Sequence, residues 1–263
     1  GSGPAGLAAA YYLRKLGYPV TIFEAHSELG GMLRVGIPQY RLPHEVLDVE
    51  VQRLIQMGVE IRTNTRVVSL DLLFEMGYQA VFIATGAPRA EKMGIPGEDL
   101  IGVYEAIEFL KVDARKQIKA EGKVIVVGGG NSALDSARVA LRKGADEVHI
   151  LYRRERRDMP AMLEEVEAAE EEGIPIHCLT IPTRILGEKG RVVAVECVRM
   201  EPREFDKSGR RVPHPIEGSE YAMQADMVIV AIGQRPDPPI AEHSPVVLTA
   251  KGSIAVNPRT FLT

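Results

Sequence analysis

Two stretches of the chain repeat one pattern of apolar and glycine-rich positions. In the first, Gly1-Ser2-Gly3-Pro4-Ala5-Gly6 runs into an Ala-rich apolar stretch, 7–16, that Gly17 ends. This predicts a glycine turn followed by a helix. Residues 19–24 then read as a short buried strand closing on an acid, Glu24. In the second, the run 123–127 is a buried strand and Gly128-Gly129-Gly130-Asn131-Ser132-Ala133 is another glycine turn. Residues 134–143 form the helix after it, and 147–152 the next strand. A duplicated unit of this kind carries more weight than either copy alone.

The segments around these copies are predicted in the same way. Val46, Leu47, Val51, Leu54 and Ile55 recur with a 3.6-residue period and predict a helix over about 43–57. Residues 59–62 read as a strand. The run 80–86 is an apolar strand ending at Gly86, and 225–233 echoes it with an end at Gly233. A helix from 103 to about 118 links the two copies. Further on come an acidic helix at about 160–172 and β-like runs at 192–200 and 221–223. The polar connector 204–219 reads as an exposed hairpin loop. The proline-rich stretch 236–239 reads as a crossing between domains.

Bulk properties narrow the class. The 263 residues, 45% hydrophobic and 26% charged, describe an ordinary globular chain of about two domains. A net charge of -4 offers no basic field for nucleic acid. No apolar run approaches the roughly 20 residues of a membrane span, so no membrane insertion is expected. Cys178 and Cys197 form no CxxC pair, which removes thiol redox and cluster-binding motifs and fits a reducing, cytoplasmic compartment. The six histidines show no ligand-like spacing, so neither a metal site nor a catalytic acid–base residue is expected.

Glycine turns before helices suit dinucleotides. A pyrophosphate is attracted to the unpaired N–H groups and partial positive charge at a helix N-terminus. Backbone approaches the phosphates only where no Cβ intervenes. Gly1, Gly3 and Gly6 have G-x-G-x-x-G spacing; Gly128, Gly130 and Ala133 have the G-x-G-x-x-A variant. The following strands separate the two sites. Glu24 stands where a carboxylate accepts from unphosphorylated ribose, as in FAD or NAD. Arg153 and Arg154 stand where a 2′-phosphate would sit, and guanidinium binds phosphate bidentately. Arg156 and Arg157 read as surface charges. Two sites of different type suggest a hydride passing from a reduced nicotinamide to a flavin, with cofactors carrying the chemistry.

At these motifs the chain resembles the flavoproteins with two dinucleotide-binding domains. It is most similar to the glutamate synthase small subunit and to the large subunit of NADH-dependent reduced ferredoxin:NADP oxidoreductase. The stretches that carry the likeness are 1–7, 30–43, 81–87, 126–145, 152–161 and 225–237. The resemblance implies an α/β fold class with two Rossmann-like FAD/NAD(P)-binding domains. An NADPH domain, 116–237, is inserted in a discontinuous FAD domain, 1–115 and 238–263.

For FAD it implies Gly1, Gly3, Pro4, Ala5 and Gly6 at the pyrophosphate and Glu24 at ribose. Gly31, Leu33 and Arg41 lie beside the flavin, Val67 near adenine, and Ala84, Thr85 and Gly86 close the site. For NADPH it implies Gly128, Gly130, Asn131, Ser132 and Ala133 at the pyrophosphate. Arg153 and Arg154 take the 2′-phosphate, with Ile232 and Gly233 near the nicotinamide. Electrons would pass to iron–sulfur centres of an attached domain or partner subunit in a larger redox complex. Two departures stand out: the family has a strand before its first glycine turn and a further strand, Gly-Asp motif and helix after a segment like 252–263. The expectation is a truncated FAD domain from a larger polypeptide. An NADH-using member, or a nucleotide-binding structural subunit without hydride transfer, is the alternative.

Overall fold

The computed structural model describes residues 1–111, 118–206 and 209–263. They form two compact units, Gly1–Arg89 with Gln234–Thr263, and Ala90–Gly233.

In the first unit the order is α1 (Pro4–Lys15), β1 (Thr21–Phe23), α2 (Met32–Val35), α3 (His44–Gln56), β2 (Glu60–Arg62) and α4 (Leu70–Glu75). Pro4 opens α1 at a position where a missing N–H costs nothing. β1 and β2 pair in parallel, Ile22 opposite Ile61. Leu7 and Ala10 of α1, Ile22, and Leu47, Val51 and Leu54 of α3 share one core with Val59. Val46 and Ile55 share the period of α3 but flank its inner stripe and stay exposed. The two-residue strands β3 (Arg89–Ala90) and β13 (Gln234–Arg235) mark the points where the chain passes between units.

The run 80–86 departs from expectation. It forms no strand, and Phe82 is 61% exposed. An apolar run becomes a strand only when a neighbour completes its ladder. Among the described residues no strand pairs with it.

The second unit continues with β4 (Val103–Glu105), α5 (Ala106–Leu110), β5 (Lys123–Val127), α6 (Asn131–Arg142), β6 (Glu147–Tyr152), α7 (Leu163–Glu171) and β7 (Ile176–Cys178). Then come β8 (Thr180–Glu188), β9 (Arg191–Phe205), β10 (Arg211–Pro215), β11 (Tyr221–Gln224) and β12 (Met227–Val230). Five strands form a parallel sheet in the order β4-β12-β5-β6-β7. Both faces are covered, which is why these strands are nearly continuous apolar runs. Val124 and Val126 face α6, meeting Ala133, Leu134 and Ala137. Ile125 and Val127 face the other way, onto Ile185, Val195 and Cys197 of an antiparallel sheet built on β9.

Two expectations are corrected here. The linking helix over 103–118 is instead strand β4 followed by the short α5; positions 112–117 lie outside the described residues. Val103 pairs with Val228 of β12, so ladder bonds at the sheet edge override helical propensity. The connector 204–219 is only partly loop. β9 runs on to Phe205 and returns as β10, with 207–208 outside the described residues. Among the described residues β10 pairs only with β9, and an edge strand tolerates Pro213 and Pro215. The first boundary between units falls at Arg89, because 90–111 supplies β4 and α5 to the second unit. No helix among the described residues is long and apolar enough to cross a membrane.

Candidate nucleotide sites

The first glycine turn is held by contacts that only glycine permits. A Cβ on Gly1 would lie 2.4 Å from the Ala84 carbonyl oxygen, and one on Gly6 2.0 Å from the Gly1 oxygen. Gly31 has φ +54, and a Cβ there would meet the Gly3 Cα at 2.8 Å. Gly3 differs: it opens α1 and faces open space, with no neighbour within 4 Å of a Cβ. Backbone can be approached there. The first turn of α1 itself carries no acid.

Glu24 follows β1 directly and is 6% exposed. Its Oε2 accepts from the Ser2 amide at 2.8 Å and the Ser2 hydroxyl at 2.7 Å, and Oε1 accepts from the His26 amide at 2.9 Å. Ser2 Oγ in turn accepts from the Gly30 amide at 3.1 Å. Burial pushes the carboxyl pKa up, but the hydrogen bonds from Ser2 and His26 outweigh it, and the net shift is downward. An ionised carboxylate has about four acceptor sites, so one remains for a further donor. Ser2 is the residue that sequence reasoning missed here. Its only signal was position, between two glycines and ahead of a helix.

The other first-unit candidates sit around this turn with less definition. Leu33, on α2, packs against the unit's core. Arg41 and Val67 are half-buried, and the Arg41 amide donates to the Pro38 oxygen at 2.9 Å. Ala84 is brought against Gly1 and Gly6, whereas Thr85 and Gly86 are exposed, Gly86 with φ +73. Pro4 and Ala5 form the first turn of α1.

The second turn repeats this logic at higher packing density. Gly128 has φ +147, and a Cβ there would meet the Ala231 oxygen at 2.3 Å. Gly129, which the motif spacing leaves as a spacer, is pressed against the Tyr152 ring at 2.4 Å from a built Cβ. Gly130 opens α6 and stays accessible, its nearest neighbour 3.9 Å away. Ala133 is fully buried against the sheet. Ser132 is exposed, and Asn131 Oδ1 accepts from the Met162 amide at 2.9 Å. No acid lies in the first turn of α6. Ile232 is exposed, and the Gly233 carbonyl accepts from the Glu91 amide at 3.0 Å.

The four arginines after β6 separate sharply. Arg156 pairs with Glu170 and Arg157 with Glu155, each at 2.6 Å on the surface. Arg153 is exposed and, among the described residues, makes no ion pair. Arg154 turns inward and donates from Nη2 to Asp206 Oδ2 at 2.9 Å. Tyr152 donates to the Asp158 oxygen at 2.6 Å, and burial pushes its phenol pKa up against the nearby arginines.

Each of two α/β units thus presents a glycine turn that opens a helix, with an acid beside the first turn and arginines after the strand that follows the second. The comparisons place the chain further. Residues 1–260 match the pyridine nucleotide-disulphide oxidoreductase model, and the chain belongs to that family. It is 47% identical over 270 residues to the NADP(+)-dependent formate dehydrogenase subunit beta of Moorella thermoacetica, covering 100% of this chain and 38% of that protein. It is 38% identical over 272 residues to the glutamate synthase [NADPH] small chain of Escherichia coli (strain K12), covering 97% of this chain and 57% of that one. The chain thus spans less than two thirds of either relative. Its fold matches the Mycobacterium tuberculosis FprA structure in complex with NADPH, with TM-score 0.82 at 22% identity, over 98% of this chain and 73% of that chain.

Proposed function

We propose that the chain is the NADPH-to-FAD electron-transfer part of a flavoprotein oxidoreductase. The observation that carries this reading is the asymmetry between two otherwise similar glycine turns: Glu24 beside one, Arg153 beside the other. FAD would be held by Gly1, Gly3, Pro4, Ala5 and Gly6 at its pyrophosphate and by Glu24 at ribose. Gly31, Leu33, Arg41, Val67, Ala84, Thr85 and Gly86 would line the same site. The close approaches at Gly1, Gly6 and Gly31 and the spare acceptor site on Glu24 suit that group. NADPH would be held by Gly128, Gly130, Asn131, Ser132 and Ala133, with Arg153 and Arg154 for the 2′-phosphate and Ile232 and Gly233 toward the nicotinamide. The open face at Gly130 and the acid-free first turn of α6 suit a pyrophosphate.

In this reading the bound flavin supplies hydride acceptance and single-electron release. The protein's own residues bind, orient and neutralise charge. Ser2 fixes the Glu24 carboxylate for ribose hydroxyls, and the N-termini of α1 and α6 offset pyrophosphate charge. Electrons would leave to iron–sulfur centres of an attached domain or partner subunit. The subunit and small-chain names of the relatives support a place in a larger complex. Both cysteines are free thiols, which fits a reducing cytoplasm. The test is anaerobic stopped-flow mixing of the full-length flavoprotein with NADPH. Rapid bleaching of the flavin band is expected, and an unbleached band sinks the reading. A second reading, NADH as donor, draws on one observation: Arg154 is engaged by Asp206.

A further inference from the structure

We propose that Asp206 is a specificity-determining residue that competes with the nucleotide 2′-phosphate for Arg154. This rests on the NADPH reading above. Arg154 is 8% exposed, and of its side-chain donors only Nη2 reaches a partner in Asp206. Its Nε and Nη1 are buried with no hydrogen-bond partner. A guanidinium offers five donors in a fixed fork, and each buried donor left unmet costs free energy. Asp206 stands where β9 turns back toward β10. Its Oδ1 accepts from the Arg210 amide at 3.2 Å, and its own amide donates to the Arg210 oxygen at 2.8 Å. One carboxylate therefore closes the turn and holds the arginine.

A phosphate monoester would satisfy a guanidinium bidentately. Nε and Nη1 are both covered, so a phosphate reaches them only when the Arg154 side chain turns outward, and turning outward breaks its bond to Asp206. Arg153, exposed on the next position, needs no such release. Arg153 then makes the first contact, and Asp206 sets the fraction of molecules in which Arg154 joins it. Apparent affinity falls in proportion to that fraction. A nucleotide without a 2′-phosphate gains nothing from the release. Asp206 consequently acts on the ratio of NADP+ to NAD+ affinity.

The experiment is equilibrium titration of the full-length protein with NADP+ and with NAD+. Asp206→Asn keeps an oxygen for the Arg210 amide and removes the charge. It is expected to bind NADP+ about three- to tenfold more tightly and NAD+ unchanged. Adding Arg154→Ala erases the gain. Unchanged or weaker NADP+ binding by Asp206→Asn, with the wild type still preferring NADP+, overturns the competition alone. A wild type that binds both nucleotides equally overturns the NADPH reading as well. Hydrogen exchange of the wild-type protein gives a second measurement should the variant not fold. The Arg210 amide should exchange faster with saturating NADP+ than with NAD+, and equal rates overturn the proposal.

Discussion

Glu24 offers a perturbation whose size follows from its hydrogen bonds. The carboxylate takes both Ser2 donors and the His26 amide, and Ser2 is fully buried. Glu24→Ala leaves the two Ser2 donors without their acceptor, at about 1–3 kcal/mol each. The His26 amide is only part-buried, so water offsets most of its loss. The expected loss is about 2–6 kcal/mol. Glu24→Gln keeps one oxygen but turns an NH2 toward a donor, and costs about 1–2 kcal/mol. The pH dependence has a definite sign. Burial opposes ionisation, yet the Ser2 and His26 hydrogen bonds hold the folded pKa below the ordinary 4.5. The unfolded chain therefore binds a proton first. Stabilisation by ionised Glu24 is complete above the unfolded value and is lost as pH falls through the folded one. Urea unfolding of wild type and Glu24→Gln, followed by circular dichroism between pH 7.5 and 3.5, measures both effects. The stability gap should narrow as pH falls. A gap independent of pH, or a Glu24→Ala midpoint equal to wild type, refutes the reasoning.

Other predictions follow from neighbouring geometry. Arg153→Ala should weaken NADP+ binding about 10- to 100-fold, the worth of a charge-assisted hydrogen bond, and leave NAD+ binding unchanged in calorimetric titration. Gly128→Ala forces a Cβ onto the Ala231 oxygen and should lower the thermal midpoint sharply. Gly130→Ala meets open space, so its midpoint should stay near wild type while nucleotide affinity falls. Glu172 is held by hydrogen bonds from Arg142, with burial opposing, and by Arg138, which together bring its pKa to about 2. Its stabilisation is present above pH 4.5 and drains away toward about 2. Solvent screening limits it to about 1–2 kcal/mol, so acid unfolding of Glu172→Gln should begin at higher pH than wild type.

What could be read from the residues alone was whatever depends on a short stretch of chain. The runs 123–127 and 147–152 became β5 and β6 at those bounds, because short, mostly apolar runs rich in Val and Ile have few other ways to be buried. The glycine turns were legible too: close approach and left-handed φ at Gly31 and Gly128 restrict the residue type locally. The family resemblance needed the same motifs and is matched over 1–260.

Tertiary structure decided what depends on a distant partner. The run 80–86 looked as strand-like as 123–127, yet ladder bonds come from another segment, and among the described residues only the latter has neighbours, β6 and β12. β4 is a strand rather than a helix because β12, more than 120 residues later, pairs with it. Position along the chain separated Arg153 and Arg154 from Arg156 and Arg157 but left each pair alike. Glu155, Glu170 and Asp206 made them different, and Asp206 is brought to Arg154 only by the turn of a β-hairpin. Backbone conformation and hydrophobic period are properties of neighbouring residues, so the sequence carries them openly. Ladder partners and ion pairs are meetings between segments far apart along the chain, and they exist only once it is folded.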